Sequence, residues 1–295
     1  MYVVINGKNY EFVKNPVDPK VQESYFGLIE DVFGLDFRPW YGSECNGESF
    51  IPYILLEGGN AVASVGVLVN HFNFNGVGKK YVQLSTIATA PNCRKQGLSQ
   101  WLMEKVLLDW KDHCDAVYLY ASDSVVDFYP KFGFVPEVEH HYSMPLTPDK
   151  GNYRLLDLEN EADIELLMEK FHDSNPYSAI TLEEDSGIVM FHCFYFLEDN
   201  IYYLPEAEAI VIAKVKGSTL FCYDIYATRH RDIKTLLGCI APEGTTQATL
   251  GFTPKNASVY DIAVTREQNT TLFVLQGKEN IFTQGKITLP HLSRA

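Results

Sequence analysis

The stretch Leu84-Ser-Thr-Ile-Ala-Thr-Ala-Pro-Asn-Cys-Arg-Lys-Gln-Gly-Leu-Ser-Gln-Trp-Leu102 carries the richest chemistry in the chain. A β-rich apolar run ends at Thr89, Pro91 and Asn92 make a turn, and a helix opens near Leu98. The first amides of a helix have no intrahelical partner, and the helix dipole there favours an anion. Gly97 lacks the Cβ that would block a ligand from those amides, and Arg94 and Lys95 add positive charge. Arg94, Lys95, Gln96, Gly97, Leu98 and Ser99 therefore form a candidate cradle for a pyrophosphate. The same residues would also serve as a plain strand–turn–helix joint with its cations in solvent, and physics alone leaves both readings open. Cys93, beside the cradle, is expected to be a packing residue. His140-His141 and His113-Cys114 are chain neighbours whose side chains would diverge on a strand, with no further ligand at useful spacing, so no metal is expected.

The elements that would position the cradle alternate along the first half. Apolar residues at Val21, Tyr25, Phe26, Leu28, Ile29 and Val32 fit a helix over Pro19 to Phe33. Ile51 to Leu56 and Ala61 to His71 read as strands joined at Glu57-Gly58-Gly59-Asn60, and Tyr81 to Thr89 as a third. A helix over Leu98 to Trp110, a short strand over Ala116 to Ala121 and a short helix from Asp123 to Phe132, stopped by Gly133, complete this half. Breakers cluster between Pro145 and Asn152, which marks a boundary. The second half repeats the texture more weakly, and an internal duplication is one reading of it. Strands are expected over Tyr153 to Leu158, Ala209 to Val215, Ser218 to Tyr226, Thr271 to Leu275 and Gly285 to Leu289, and helices over Glu161 to His172 and Asp232 to Ile240.

The spacing Pro91-x-x-Arg94-x-x-Gly97-x-Ser99 resembles the acyl-CoA signature of the GNAT acetyltransferase superfamily, Q/R-x-x-G-x-G/A. Downstream, Ser122-Asp-Ser-Val-Val-Asp-Phe-Tyr129-Pro-Lys-Phe-Gly133-Phe134 is similar to the family's N-x-x-A-x-x-x-Y-x-K-x-G-F element. The two motifs stand in the family's order, and the resemblance covers residues 1 to about 146. It implies that the main chain of Ile87, Ala88 and Thr89 pairs with pantetheine amides in a splayed sheet. Arg94 to Ser99 would hold the pyrophosphate, and Tyr129 stands where the family places a general acid beside the CoA sulfur. Expulsion of a thiolate by an amine needs such a proton donor. Ser122 stands where Asn is usual, which puts that side-chain contact to CoA in doubt, and Ser99 replaces Gly or Ala.

Among family branches, Arg94-x-x-Gly97-Leu98 with Ala121-Ser122 and Tyr129-x-x-Phe132-Gly133 looks most like the multi-domain "enhanced intracellular survival" type. That type joins an intact acetyltransferase domain to a degenerate one and a sterol-carrier-like third, for which this chain is too short. Some members use a terminal carboxylate as base, a role the resemblance does not carry onto Ala295. The sequence does not identify the general base: a carboxylate, a histidine or a water chain would serve, and Glu30, Asp31, Glu44 and His71 are candidates by position on the implied acceptor side. Trp40, Tyr41, Phe50, Tyr53, Phe72 and Phe74 flank that side and would either fill the core or hold an ammonium by cation–π contact. The second-half joint Tyr226-Ala-Thr-Arg-His-Arg-Asp-Ile-Lys-Thr235 has no glycine for close approach, so no CoA is expected there, and its expected duty is to wall the acceptor cleft.

Length and composition agree with this outline. The 295 residues suggest two domains, and 46% hydrophobic with 21% charged residues is an ordinary globular composition. Each half is net acidic within a total of −14, which argues against a phosphate-backbone grip on nucleic acid. Cys45, Cys93, Cys114, Cys193, Cys222 and Cys239 show no paired spacing, and free thiols in a cytoplasmic protein are expected. No apolar run suggests a leader or a membrane span. The expected fold is α/β (α+β): two GNAT-like domains, catalytic over 1–146 and degenerate over 152–295, each with a mixed, splayed central sheet flanked by helices. The expected activity is acetyl-CoA-dependent transfer to a small-molecule or peptide amine. No metal, nucleic acid or membrane partner is expected, and a homo-oligomer is possible. A non-catalytic acyl-CoA-binding regulatory or scaffold module is the competing reading.

Overall fold

The structure, a computed structural model, describes residues 1–41, 46–184, 186–229 and 231–295. The first stretch of chain runs β1 (Tyr2–Ile5), β2 (Lys8–Lys14), α1 (Pro19–Phe33), α2 (Arg38–Tyr41), β3 (Phe50–Glu57), β4 (Asn60–Phe74), β5 (Val77–Thr89), α3 (Leu98–Trp110), β6 (Ala116–Ala121), β7 (Phe134–Glu137) and β8 (His140–Pro145). It continues through β9 (Arg154–Leu155), α4 (Glu161–His172), β10 (Ile180–Glu183), α5 (Gly187–Phe196), β11 (Ile201–Leu204), β12 (Ala209–Lys216) and β13 (Thr219–Ala227). The last elements are α6 (Ile233–Ile240), β14 (Gln247–Leu250), β15 (Asp261–Val264) and β16 (Thr271–Leu275).

Local chemistry sets several of these boundaries. Asp18 caps α1 by accepting from the Lys20 amide, Pro19 supplies the first helical φ, and Gly34 ends the helix in a left-handed conformation. The strands form two sheets. The first has the order β1-β2-β3-β4-β5-β6-β16-β7, with β10 also paired to β4, and the second β15-β8-β14-β13-β12-β11-β9. Among the described residues only β5/β6 and β13/β14 pair in parallel; the other pairs are antiparallel. Each parallel pair is joined by one helix, α3 or α6, and follows an antiparallel hairpin with a bulge. The two halves thus share one local plan, as the duplication reading anticipates.

Three apolar layers hold the sheets. One face of the first sheet packs on Leu98, Leu102, Met103 and Val106 of α3. One face of the second packs on Leu236 and Leu237 of α6. Between the sheets lies a shared layer to which α1, α2, α4 and α5 contribute, with Tyr25, Trp40, Phe171 and Phe191 in it. No helix among the described residues is long and apolar enough to cross a membrane, which says nothing of a β-barrel.

The sheets do not divide where the chain was expected to divide. β8, assigned to the first half, lies in the second sheet, while β16, assigned to the second, sits between β6 and β7. The reason is that β16 is apolar on both faces: Leu272 and Val274 enter the shared layer, Phe273 and Leu275 the α3 layer. Three expected elements change. The strand over Tyr153 to Leu158 shrinks to β9, Gly285 to Leu289 forms no strand, and Asp123 to Phe132 is two 3₁₀ turns, Asp123–Val125 and Tyr129–Phe132. Helix α5, Gly-Ile-Val-Met-Phe-His-Cys-Phe-Tyr-Phe, escaped sequence reading because its apolar residues surround the axis and show no helical period.

One buried acid gives the second sheet a pH signature. Asp224 on β13 accepts from Asn175 Nδ2 and the Ile225 amide, yet burial pushes its carboxyl up to about 6. Between about pH 4 and 6 the folded chain keeps a proton that the unfolded chain has released, so this group lowers stability as pH rises through that window. Asp224→Asn is expected to flatten this slope and stabilise the protein by about 2–3 kcal/mol at pH 8, with little change at pH 4. Urea unfolding at the two pH values checks it; equal gains at both would refute the titration of Asp224.

Candidate active site

Strands β5 and β6 pair from Tyr81 opposite Ala116 to Leu84 opposite Leu119, and then diverge. Beyond Leu84, β5 continues to Thr89 bonded to β4 alone, so its other edge is open to a ligand strand. The divergence begins at a bulge, where the register against β4 shifts between Ser64 and Gly66. There Thr86 holds φ 43°, a conformation costly for a β-branched residue and found where function over-determines the backbone. Gly66 makes room for it: a Cβ at Gly66 would clash with Thr86 Oγ1 and lie 2.8 Å from the Phe50 ring. The Ser64 hydroxyl donates to the Thr86 carbonyl at 3.0 Å.

The open edge leads into the proposed cradle. Gly97 opens α3 at φ 82°, with no side chain capping the first amides, and Lys95 precedes it at φ 62°. The helix N-terminus is therefore available to an anion. Thr89 and Ser99 share a hydroxyl hydrogen bond of 2.6 Å, and Arg94 Nε donates to the Thr89 carbonyl at 3.3 Å. The Gln96 carbonyl accepts from Asn6 Nδ2, and its Oε1 accepts from the Tyr10 hydroxyl, so the first hairpin braces the loop from outside. Ile87, Ala88, Thr89, Arg94, Lys95, Gln96, Gly97, Leu98 and Ser99 run in chain order from the bulge to the helix, with the side chains of Ala88 and Leu98 buried and those of Arg94 and Lys95 exposed.

Tyr129 opens a 3₁₀ turn in the apolar layer that also holds Cys93, Leu98 and, half-buried, Ile87. Its ring packs on Phe128, Phe134 and Phe273, and its hydroxyl has no hydrogen-bond partner among the described residues. Burial pushes the phenol up to about 12. Ser122 lies apart from this group: its hydroxyl is bonded to Asn269 Oδ1 at 3.0 Å, which ties it to the second-half chain.

The candidate bases among the described residues are not drawn to the splay. Glu30 sits on the outer side of α1, bonded to Arg38, and Asp31 is exposed. His71 pairs with Glu184 and lies opposite Lys80, five residues before Ser85, which at strand geometry is about 17 Å away. Glu44 falls outside the described residues. Trp40, Phe50 and Phe72 pack in the shared layer, and Tyr53 is buried with its hydroxyl on Asp109, so these rings serve the core.

Instead, the sheet face toward the shared layer carries a polar group that sequence reasoning missed. Asn70 on β4 donates to the Tyr118 hydroxyl and to the Ser293 carbonyl. Gln83, next to the last paired residue of β5, donates to the Ala295 carbonyl and accepts from its amide. Arg294 bridges Glu139 and Glu267, each at 2.8 Å, over the Tyr120 ring. Burial opposes the Arg294 charge, but Glu139, Tyr120 and Glu267 outweigh it and raise its pKa. Asn70 and Gln83 were visible as polar breaks in apolar strand runs. The segment they hold was not, since it returns from more than 200 residues away.

Comparison with known proteins agrees with this geometry. Residues 23–136 match the family profile described as Acetyltransferase (GNAT) domain. No curated protein matches the sequence. Among solved structures, an Enterococcus faecalis protein reported as a probable N-acyltransferase superposes with TM-score 0.57 at 16% identity, covering 90% of this chain and 72% of its own. Eis1 from Mycobacterium abscessus gives TM-score 0.54 at 14% identity, over 89% of this chain and 72% of its own. A GCN5-related N-acetyltransferase from Kribbella flavida gives 0.52 at 14%, over 90% and 71%. These likenesses extend the shared fold across both sheets, as the resemblance to the "enhanced intracellular survival" type implied. Residues 23–136, which hold the splayed strands and the glycine-opened helix, thus match a GNAT acetyltransferase domain, and the solved structures share the fold beyond it.

Proposed function

We propose that this chain is an acetyl-CoA-dependent N-acetyltransferase acting on a primary amine of a small molecule or peptide, with its chemistry in the first half (1–146). The observation that carries this reading is the open edge of β5 running from the Thr86 bulge to the uncapped N-terminus of α3. The pantetheine amides would pair with the main chain of Ile87 to Thr89. The pyrophosphate would rest on the amides of Leu98 and Ser99, flanked by Arg94, Lys95 and Gln96. The free amine attacks the thioester carbon, the C–S bond breaks, and the Tyr129 hydroxyl gives its proton to the departing thiolate. The surplus proton on nitrogen passes to solvent.

The second half (152–295) is proposed to bind no CoA. There the chain beyond β14 follows β13 one step further: the Gly251 amide donates to the Cys222 carbonyl, and the His291 amide to the Gly251 carbonyl. The His291 ring lies on Phe221 and Tyr223, each at 5.3 Å, in the place a ligand strand would need. A non-catalytic acyl-CoA-binding module is the second reading, favoured by the engagement of Ser122 with Asn269.

Calorimetric titration with acetyl-CoA, followed by thiol-release assays over an amine panel, tests the proposal. Binding with release on one amine class supports it, binding without release favours the second reading, and no binding refutes both. Gly97→Val is expected to raise the acetyl-CoA Kd at least tenfold. A Cβ there stands 3.0 Å from Asn6 Nδ2, and φ 82° strains a side-chain-bearing residue by about 1–2 kcal/mol. The same titration reads it.

A further inference from the structure

On the face of the second sheet opposite α6, Phe221, Tyr223 and His291 wall a hollow of about 690 Å³ with Lys214, Lys216 and Thr219 at its edge. It runs into a smaller hollow of about 220 Å³ that shares Phe221, Glu267 and His291 and adds Thr265, Arg266 and Arg294. Neither is used by the transfer chemistry above.

Three independent observations bear on what this space accepts. The rings form a compact wall, with Phe221 and Tyr223 4.7 Å apart between centroids and His291 5.3 Å from both. The lining reverses the sign of the chain: Lys214, Lys216, Arg266 and Arg294 face a single acid, Glu267, in a protein of net charge −14. That acid is already bonded to Arg294 Nη1 at 2.8 Å. Finally, Arg294 is 90% buried, with a side-chain exposure of 10%, and its Nε has no partner; the buried Thr265 hydroxyl oxygen has none either. Buried donors left unmade cost about 1–3 kcal/mol each, so native structures rarely leave two in one small hollow without an acceptor to receive them. Burial and the Arg294 charge keep His291 neutral, so its ring offers a stacking face.

We propose that the two hollows are one binding site for a ligand carrying an aromatic ring and an anionic group. The ring stacks against Phe221, Tyr223 and His291, and the carboxylate or phosphate accepts from Arg294 Nε and Thr265 Oγ1. Lys214 and Lys216 at the rim draw the anion in.

Calorimetric titration of the full chain with indole-3-acetate and, separately, with adenosine monophosphate distinguishes an aryl carboxylate from a nucleotide phosphate. Saturable one-to-one binding of either probe is expected, at least tenfold tighter than uncharged indole or adenosine. Lys214→Gln with Lys216→Gln, both exposed, and Thr265→Val, checked for unchanged melting, are each expected to weaken it about tenfold. Gly97→Val should leave it unchanged, which separates this site from the α3 cradle. The proposal is overturned if neither probe saturates by millimolar concentration. It is equally overturned if the lysine and threonine variants bind as the parent does, or if Gly97→Val alone abolishes binding.

Discussion

Tyr129→Phe is expected to lower kcat for acetyl transfer by roughly 10²–10⁴-fold while leaving acetyl-CoA affinity within about twofold. The substitution isolates the hydroxyl. Phenylalanine keeps the packing against Phe128, Phe134 and Phe273, and no hydrogen-bond partner among the described residues is orphaned. A phenol pushed up to about 12 remains protonated throughout the usual assay range, so the acid is loaded at every pH from 6 to about 10. Burial raises the pKa of a departing thiolate in the same apolar layer as well, which narrows the gap the proton must cross. The rate should therefore show no fall on the alkaline side below about pH 10 that belongs to Tyr129. Single-turnover thiol release gives the size of the effect, and calorimetry gives the affinity. An unchanged rate with intact binding would remove Tyr129 from the mechanism and leave the fold assignment untouched.

The second large effect concerns stability. Glu139→Ala is expected to cost about 3–5 kcal/mol, because it deprives a buried guanidinium of its buried counter-charge and leaves only the more exposed Glu267. Glu139 is 5% exposed and accepts from Arg294 Nη2 at 2.8 Å, the Leu289 amide at 3.0 Å, the Tyr120 hydroxyl at 3.1 Å and the Thr288 hydroxyl at 3.3 Å. It thus joins β6 of the first sheet to the returning segment 288–294 just before β8 enters the second. The melting temperature should drop by roughly 8–15 °C. Hydrogen exchange of amides 288–295 should quicken more than that of α3, because Asn70–Ser293 and Gln83–Ala295 depend on the same anchor. Glu139→Gln, which keeps one acceptor oxygen, should cost less than the alanine variant. Equal melting of all three proteins would mean that Glu139 contributes nothing to holding that segment.

Much of the first half was legible because its signals are local. The helix over Pro19–Phe33 follows from an apolar stripe, and Leu98–Trp110 from a glycine followed by an apolar face. Both bounds agree with those read from periodicity. The cradle was legible for the same reason, since a strand, a turn and a helix start lie within one short stretch. Signals that failed did so for physical causes. Helix α5 is apolar all round because it is buried between two sheets, and periodicity needs a solvent side. Asp123 to Phe132 reads as one helix, but Pro130 removes an amide and the run splits into two turns.

By itself the sequence determined the helices over Pro19–Phe33 and Leu98–Trp110 and the strands beside them, the candidate anion-binding joint at Arg94 to Ser99, and the placement of Tyr129 in a motif that resembles one of the GNAT acetyltransferases. These rest on interactions within a few residues, where spacing encodes geometry. The tertiary structure alone decided that β16 completes the first sheet and β8 joins the second, and that Asn70 and Gln83 hold the segment at Ser293 and Ala295. It also decided that an aromatic, cationic hollow forms between β12, β13 and His291. Those contacts join residues up to 223 positions apart, and closing such loops is settled by the burial of whole faces, which no local pattern records.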